Sequence, residues 1–227
     1  MILTLLGAPG SGKGTQGRRL AERLGLAYLS SGDLLRSAIS RGTETGLRAK
    51  PYLDAGHLVP DDVLIPLVCT ELLAIPQAGV VLDGFPRTRD QALALDATDD
   101  CAVDAALMLE VPDDVVVDRL ASRLMCGDCG SSFSAVSHRP KREGVCDACG
   151  GPLKRRGDDA PETVRHRLAV YHESESRLAE YYDERGVLLK IDGNAPEDQV
   201  TEALLKATET LARLPLPAPT FQAAPAA

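Results

Sequence analysis

The chain has 227 residues, of which 44% are hydrophobic and 26% charged, and its formal net charge is −8. A chain of this length can bury one substantial core and still carry small insertions, and its acidic balance argues against general nucleic-acid binding by bulk electrostatics. It contains no apolar run long enough to span a bilayer and no basic, apolar N-terminal signal, so we expect a cytoplasmic protein without membrane contact.

The first informative segment is a glycine-rich stretch near the N-terminus. Residues 7–15 read Gly-Ala-Pro-Gly-Ser-Gly-Lys-Gly-Thr, between an apolar run at 2–6 and a helical pattern at 13–24. A strand, a glycine-rich turn and a helix start form the context of a phosphate-binding P-loop, whose backbone N–H groups face an anion. Lys13 adds a full positive charge, and the hydroxyl arrives at Thr15, one position later than in the usual pattern. The alternative is an ordinary glycine-rich turn between a strand and a helix.

Along the rest of the chain, short apolar runs alternate with helical patterns. The predicted strands are 2–6, 26–29, 79–83, 104–110 and 187–191, and the predicted helices are 13–24, 31–41, 44–55, 61–73, 88–95, 112–122, 161–184 and 196–213. Proline or acidic residues occupy the first turn of several of these helices, as helix N-termini favour. The alternation predicts an α/β fold with a doubly wound, five-stranded parallel sheet.

Two segments interrupt this alternation and are predicted to be lobes inserted in the core. Residues 30–59 contain two short helices, and residues 123–159 contain four cysteines, many glycines and few apolar residues. The core would then comprise 1–29, 60–122 and 160–213. The Pro/Ala-rich tail at 214–227 is expected to be disordered.

The second inserted lobe carries a metal-site pattern. Cys126, Cys129, Cys146 and Cys149 form a C-x₂-C-x₁₆-C-x₂-C array, which lies in the range of zinc ribbons. Four thiolates complete a tetrahedral site with no open position, so the pattern predicts a structural zinc ion rather than a catalytic one. Four unmetallated thiols or two disulfides are the alternatives.

Four further segments carry a family resemblance. They are Ser30-Ser31-Gly32-Asp33-Leu34-Leu35-Arg36, then Leu82-Asp83-Gly84-Phe85-Pro86-Arg87-Thr88 with Gln91, then Asp118-Arg119-Leu120-Ala121-Ser122-Arg123, and finally Arg156-Gly157-Asp158-Asp159 with Glu162-Thr163-Val164-Arg165-His166-Arg167. Together with the glycine-rich loop, and in this order, they resemble the bacterial adenylate kinases of the long-lid form that carries a zinc site. The resemblance extends over roughly residues 1–213.

The resemblance implies a fold and a reaction. The fold is that of the P-loop nucleoside monophosphate kinases, with two mobile lobes: a monophosphate-binding lobe at 30–59 and a zinc-binding lid at 123–159. The reaction is reversible phosphoryl transfer from Mg-ATP to AMP, which gives two ADP and keeps the adenine nucleotides in balance. The implied cofactors are Mg²⁺ and a structural Zn²⁺, and the implied partners are ATP, AMP and ADP in a monomer that binds no nucleic acid.

The resemblance also assigns residues to the two nucleotides. The ATP site would comprise Gly10, Ser11, Gly12, Lys13, Gly14, Thr15, Arg119, Arg123, Ser132, Phe133 and Ala195. The AMP site would comprise Ser31, Arg36, His57, Leu58, Val59, Gly84, Phe85, Pro86, Arg87, Gln91, Arg156 and Arg167.

Catalysis in this family is positional and electrostatic. The resemblance gives the catalytic roles to Lys13, Arg87, Arg123, Arg156 and Arg167. It makes Asp83 an acid that reaches Mg²⁺ through water. It gives Asp158 and Asp159 the role of holding the lid in its closed state. The alternative for the two aspartates is a role as N-terminal acids of the following helix, and the alternative for Ser31 is a helix N-cap only.

Two alternative functions remain open at this point. One is a nucleoside monophosphate kinase that prefers UMP, CMP or GMP, because base choice depends on a few backbone contacts that a sequence does not show. The other is a regulator that recognises nucleic acid with its zinc ribbon. The ribbon's basic residues are offset by neighbouring acids, which disfavours the second alternative.

Overall fold

The computed structural model describes residues 1–75, 79–98, 101–135 and 138–212, without the side chains of Asp158, Leu211 and Ala212. The strands of this part are β1 (Ile2–Gly7), β2 (Ala27–Ser30), β3 (Val80–Asp83), β4 (Ala105–Glu110), β5 (Arg123–Cys126), β6 (Ser132–Ser134), β7 (Leu153–Lys154) and β8 (Leu188–Asp192). The tail predicted to be disordered, 214–227, lies outside the described residues.

The central sheet has five parallel strands in the order β2-β3-β1-β4-β8. Its register places Leu5 beside both Asp83 and Leu107, so β1 runs through the middle of the sheet. The five predicted strands are all present, each within one residue of its predicted bounds. The predicted fold class, a doubly wound α/β fold with a five-stranded parallel sheet, is confirmed.

The helices agree with the predicted ones to within one residue at each end. They are α1 (Lys13–Leu24), α2 (Ser31–Ser40), α3 (Glu44–Ala55), α4 (Asp61–Ala74), α5 (Arg89–Asp96), α6 (Asp113–Ala121), α7 (Pro161–Glu184) and α8 (Glu197–Ala212), with a short 3-10 helix at Gly157–Asp159. The boundaries follow local chemistry: the hydroxyls of Ser30, Thr43 and Thr88 cap α2, α3 and α5.

The sheet buries both of its faces, because β1 is apolar on both sides. Ile2 and Leu6 belong to a cluster with residues of α4, α5 and α7, whereas Leu3 and Leu5 belong to a cluster with residues of α1 and α8. Such two-sided burial explains why the strands read as continuous apolar runs rather than alternating ones. It leaves the carboxyl-terminal edge of the sheet, next to the glycine-rich loop, as the place for a ligand.

The two interrupting segments have different architectures. In the first, α2 and α3 pack so closely at Gly46 that a Cβ there would lie 2.3 Å from the backbone of Ala38. In the second, β5 pairs in antiparallel fashion with β6 and β7. These short strands were not predicted, because two or three residues offer no periodicity to detect. Within the described residues, no helix has the length and apolarity needed to cross a membrane.

Candidate active site

A cavity of about 880 Å³ lies at the carboxyl ends of β1, β3 and β4. This is the edge at which open α/β sheets bind their ligands. Its walls come from the glycine-rich loop, α1, β6 in the cysteine lobe and α7. The core and both interrupting segments thus contribute residues to one large cleft.

The glycine-rich loop has a backbone that favours glycine at three positions, the first of which is Gly7 with a φ angle of +134°. Gly10 and Gly12 have φ angles of +86° and +98°, and a Cβ at Gly10 would lie 2.7 Å from Cγ of Leu120. The loop then turns into α1 at Lys13. Residues 10–16 all line the cavity, which places the N-terminus of α1 at its wall, the arrangement that a phosphate site requires.

Lys13 folds back onto the loop, with its ammonium Nζ donating to the carbonyl oxygens of Gly7 at 2.6 Å and Ala8 at 2.7 Å. Burial lowers its pKa from 10.5 to about 8, and the charges of Arg87, Arg167 and Arg123 act in the same direction. The carboxylate of Asp83 opposes them. A lysine surrounded by other cations is a strong attractor for a polyanion.

Seven arginines line the same cavity: Arg18, Arg36, Arg87, Arg119, Arg123, Arg156 and Arg167. This concentration of cations contrasts with the net charge of −8 of the whole chain. The lysine and the seven arginines outnumber the five acids of the lining, Asp33, Asp83, Asp147, Glu175 and Glu197. Arginine suits phosphate oxygens through paired N–H donors.

Asp159 lies between two of these arginines. It accepts hydrogen bonds from Nε of Arg123 at 2.8 Å and from Nη2 of the same residue. Nη1 of Arg167 lies 3.6 Å from Oδ1 of Asp159. The side chain of the neighbouring Asp158 lies outside the described part of the structure.

Two other arginines bind protein oxygen atoms at the rim. The guanidinium of Arg119 donates to the carbonyls of Gly193 at 3.2 Å and Ser11 at 3.4 Å, which connects the loop after β8 to the glycine-rich loop. Nε of Arg87 donates to the carbonyl of Gly84 at 2.8 Å. These contacts hold the guanidinium groups in place at the cavity wall.

The residues predicted to bind ATP all line this cavity, Ala195 included. Of those predicted to bind AMP, Arg36, Leu58, Gly84, Pro86, Arg87, Arg156 and Arg167 line it, whereas Ser31, His57, Val59, Phe85 and Gln91 do not. The structure therefore brings together the charged residues of both predicted sites. Of the five predicted AMP contacts outside the lining, Ser31, Val59, Phe85 and Gln91 are buried, whereas His57 is exposed.

Gln91 illustrates the difference. Its side chain is fully buried, its Oε1 accepts from the backbone N–H of Arg87 at 2.8 Å, and its Nε2 donates to Asp61 at 2.7 Å. Ser31 is also buried and donates to the carbonyl of Gly84 at 2.7 Å. In this conformation the polar atoms of both side chains form hydrogen bonds with the turn after β3.

His57 makes a contact of another kind. Its Nδ1 lies 2.9 Å from Nε2 of His166, and the two rings meet edge to face. A Cβ on the adjacent Gly56 would lie 3.1 Å from Arg167 and Thr163. The turn after α3 is therefore docked against the beginning of α7.

The cavity residues that sequence reasoning missed include Arg18, Tyr28 and Asp33. The Tyr28 hydroxyl donates to Oδ2 of Asp83 at 2.6 Å, and the Arg18 guanidinium lies 4.4 Å from the ring centre of Tyr28. Burial and the Asp83 carboxylate raise the pKa of Tyr28, so the hydroxyl stays protonated and remains a donor. The available signal was weak: a polar residue near the carboxyl end of a short strand in the central sheet.

The four lobe cysteines form a cluster. All four sulfur atoms lie within 4.8 Å of one another, with Cys126 and Cys149 3.4 Å apart and Cys129 and Cys146 3.5 Å apart. Sulfur atoms at about 2.3 Å from a tetrahedral zinc ion are separated by about 3.8 Å, so the cluster fits a zinc ion. None of these sulfur atoms is in a disulfide.

The turns of the two CxxC pairs support the same interpretation. The N–H groups of Gly130 and Gly150 donate to the carbonyls of Cys126 and Cys146, at 3.2 and 2.9 Å. The predicted structural zinc site is confirmed as a fitting set of ligands.

Comparisons with known proteins agree with this geometry. The sequence profile described as "Adenylate kinase" matches residues 5–187. The chain is 46% identical to an adenylate kinase of Methanosarcina acetivorans over 208 residues, which is 90% of this chain and 96% of that protein. It is 44% identical to the adenylate kinases of Lachnospira eligens, over 91% of this chain and 99% of that one, and of Caldicellulosiruptor saccharolyticus, over 91% and 98%.

The profile covers most of the chain, and each of these relatives is matched over nearly its whole length. The chain belongs to the adenylate kinase family.

Proposed function

We propose that the cavity walled by Lys13 and seven arginines is where this chain performs the reaction of its family, reversible phosphoryl transfer from Mg-ATP to AMP. The observation that carries the proposal is the gathering of a phosphate loop and seven guanidinium groups around one cleft of about 880 Å³. A single phosphate would not need so many cations. Two nucleotides that meet phosphate to phosphate would.

The acceptor in this reaction is a phosphate oxygen of AMP. It is largely ionised at neutral pH because the second phosphate pKa is near 6, so no general base is required. What the protein must supply is alignment of two polyanions and stabilisation of the charge on the moving group. Lys13, Arg87, Arg123, Arg156 and Arg167 take these roles in our proposal.

The donor nucleotide is assigned to the side of the cavity formed by the glycine-rich loop. Residues 10–15 would hold its phosphates, and Arg119, Ser132, Phe133 and Ala195 would border its adenine. Arg119 is already fixed by two carbonyl groups, which supports a role as a preorganised platform for the base. The acceptor is assigned to the opposite side, where Arg36 and Arg87 would grip its phosphate.

Asp83 is the candidate for the magnesium that accompanies ATP. Its carboxylate lines the cavity at the end of β3, near the buried charge of Lys13, and oxygen ligands suit this cation. Mg²⁺ bound with ATP neutralises charge on the transferring phosphates. Asp83 would orient the hydration shell of the ion.

Asp159 is proposed to change partners during the cycle. Its carboxylate now compensates Arg123 and Arg167, which we assign to the transferring phosphoryl group. Arrival of phosphate would compete for the same guanidinium groups. Together with Asp158, it would thereby couple phosphate binding to the position of the lid at 123–159, which we treat with 30–59 as mobile lobes on a core of 1–29, 60–122 and 160–213.

We further propose that the protein acts as a cytoplasmic monomer that binds no nucleic acid. A net charge of −8 supports the last point. Retention on a nucleic-acid column at physiological salt would contradict the absence of nucleic-acid binding. That result would favour the alternative, a regulator that recognises nucleic acid with its zinc ribbon.

The function is tested with a coupled assay of ADP formation from ATP and each of AMP, UMP, CMP and GMP, with and without Mg²⁺. We expect AMP to give the highest kcat/KM and Mg²⁺ to be required. A higher kcat/KM with UMP, CMP or GMP would identify the protein as a different nucleoside monophosphate kinase. Lys13→Ala should abolish transfer with the fold intact, and a near-normal rate in that variant would contradict the role of the loop.

A further inference from the structure

Tyr28 is held in the cavity wall by contacts on several sides. It lies in β2, next to β3 in the sheet, and its hydroxyl donates to Oδ2 of Asp83 at 2.6 Å. The Arg18 guanidinium stacks on its ring at 4.4 Å. The tyrosine therefore connects helix α1 with the acid that ends β3.

The glycines of α1 make room for this tyrosine. A Cβ at Gly17 would lie 2.8 Å from Cε2 of Tyr28, which is closer than real side chains approach. A Cβ at Gly14 would lie 3.6 Å from the Tyr28 hydroxyl and 3.5 Å from Oδ2 of Asp83. Gly14 is thus at ordinary contact distance, whereas at Gly17 a Cβ would overlap the ring, so the ring packs closely against the helix at Gly17.

This confinement has a chemical consequence for Asp83. A carboxylate that orients metal-bound water must present a defined oxygen atom, and hydrogen bonds from outside the metal sphere commonly fix that orientation. The Tyr28 hydroxyl donates to Oδ2, so Oδ1 is the carboxylate oxygen that would remain for the hydration shell of the cation.

The same contacts extend to the acceptor side. Arg18 donates to Oδ2 of Asp33 at 2.9 Å, and Arg36 donates to Oδ1 of the same acid at 2.6 Å. Arg36 is assigned to the AMP phosphate. A continuous set of contacts thus leads from Asp83 through Tyr28, Arg18 and Asp33 to Arg36.

We propose that Tyr28 is a positioning residue for phosphoryl transfer, which fixes Asp83 in the orientation that receives the divalent cation accompanying ATP. The inference rests on the proposed role of Asp83. It adds a residue of the cavity wall that acts on the cation through the acid.

The test is cation affinity rather than turnover. Tyr28→Phe keeps the ring and the Arg18 contact and removes only the hydroxyl. Binding of Mn²⁺, a magnesium substitute, to the complex of enzyme with a non-hydrolysable ATP analogue is followed by electron paramagnetic resonance. We expect the Mn²⁺ affinity of that complex to fall about 10-fold, the size typical of losing a partner that orients a metal-binding acid, while metal-free analogue binding stays unchanged.

Tyr182→Phe is the matched control. Its ring is fully buried, and its hydroxyl has no hydrogen-bond partner among the residues that the structure describes. Removing that hydroxyl should leave Mn²⁺ affinity as in the unmodified protein. Melting temperatures of both variants establish that the folds are comparable.

A double-mutant cycle with Asp83→Asn separates the possible results. We expect Asp83→Asn to weaken Mn²⁺ binding and Tyr28→Phe to add nothing in that background. An effect of Tyr28→Phe that persists in the Asp83→Asn background overturns the proposal, as does an unchanged affinity in the single Tyr28→Phe variant. The proposed function fails separately, if the unmodified protein does not transfer phosphate to AMP. If Asp83→Asn leaves Mn²⁺ binding intact, the proposed role of Asp83 fails and the inference that rests on it fails with it.

Discussion

The carboxylate of Asp159 accepts a hydrogen bond from Nε of Arg123 at 2.8 Å, at a cleft rich in cations. Both side chains are largely buried, with 5% of Asp159 and 17% of Arg123 exposed. The acid therefore compensates a guanidinium charge that a bound phosphate could equally compensate. We therefore expect the protein's stability to depend on whether a phosphate group is bound next to Arg123.

Asp159→Asn should lower the free energy of unfolding by about 2 kcal/mol in the absence of nucleotide. Breaking a fully buried ion pair costs about 3–5 kcal/mol, and the partial exposure of Arg123 reduces that figure. For a chain of this length the melting temperature would fall by about 4–8 °C. A saturating, non-hydrolysable ATP analogue should recover most of this loss, because its phosphates replace the missing charge.

The control for this rescue is Asp96→Asn. Asp96 accepts from Nη1 of Arg185 at 2.5 Å, in a pair of similar burial that lies outside the cavity. We expect a comparable loss of stability, measured calorimetrically, but no special recovery with the analogue. Equal recovery in both variants would mean that Asp159 has no connection with phosphate binding.

Lys13 should take up a proton when a metal-free ATP analogue binds. Burial holds its pKa at about 8 in the empty site, and phosphate charge raises it again. At pH 8 about half of the lysine is neutral, so binding takes up about half a proton, and affinity decreases as the pH rises above 8. Calorimetric titrations in buffers of different ionisation enthalpy measure this uptake directly.

The stability of the nucleotide-free protein depends on pH in the opposite direction to its affinity for the analogue. A lysine whose folded pKa lies below its unfolded value destabilises the fold at low pH, and the penalty is relieved as the pH rises from about 8 towards 10.5. Lys13→Met removes both effects and serves as the control. Binding at pH 9 without proton uptake by the unmodified protein would be incompatible with the buried, depressed lysine.

Metal removal should affect the stability of the lobe and not the type of reaction. A Cys₄ site without an open position holds the lobe together, since its own apolar cluster is small: Cys126, Phe133 and Cys146, with two partly buried leucines. We expect about one zinc ion per chain by elemental analysis. Stripping it should lower the melting temperature and reduce the rate, with ADP still the product.

Cys146→Ser tests the same point genetically, and Cys69→Ser is its control, because Cys69 lies in α4, outside the cluster. The first variant should lose the metal and the second should retain it. Metal content well below one ion per chain in the unmodified protein would refute the zinc assignment.

The sheet, the helices and the phosphate loop were predictable because each depends on local patterns. The apolar runs at 2–6 and 104–110 mark strands buried on both faces, and the glycine-rich loop carries its own backbone requirement at Gly10 and Gly12. The CxxC spacing likewise identifies the four metal ligands from residue order alone. In all these cases the information lies within a few neighbouring residues.

What escaped prediction depends on contacts between distant residues. Tyr28 and Asp83 are 55 positions apart, and Arg123 and Asp159 are 36 apart, so local spacing could not pair them. Gln91 was expected at the acceptor base, yet its amide is engaged by Arg87 and Asp61. A family motif identifies the residue type but not which of its atoms remain free.

Gly46→Ala should disrupt selectively the monophosphate-binding lobe that we propose at residues 30–59. A Cβ at this position would lie 2.3 Å from the carbonyl of Ala38 and 2.5 Å from the N atom of Ile39. These are backbone atoms that cannot rotate away, so α2 and α3 must separate, at a cost of about 1–3 kcal/mol. Because α2 carries Arg36, we expect the KM for AMP to rise several-fold while the KM for ATP changes little.

Gly157→Ala is the matched substitution for this test. Gly157 has no positive φ, and a Cβ there meets nothing within 4 Å, so alanine should be tolerated with stability and both KM values nearly unchanged. Steady-state kinetics with each nucleotide varied in turn, together with melting curves, distinguish the two glycines. If Gly46→Ala raised both KM values equally, the close contact between α2 and α3 would support the whole cleft and not the acceptor side alone.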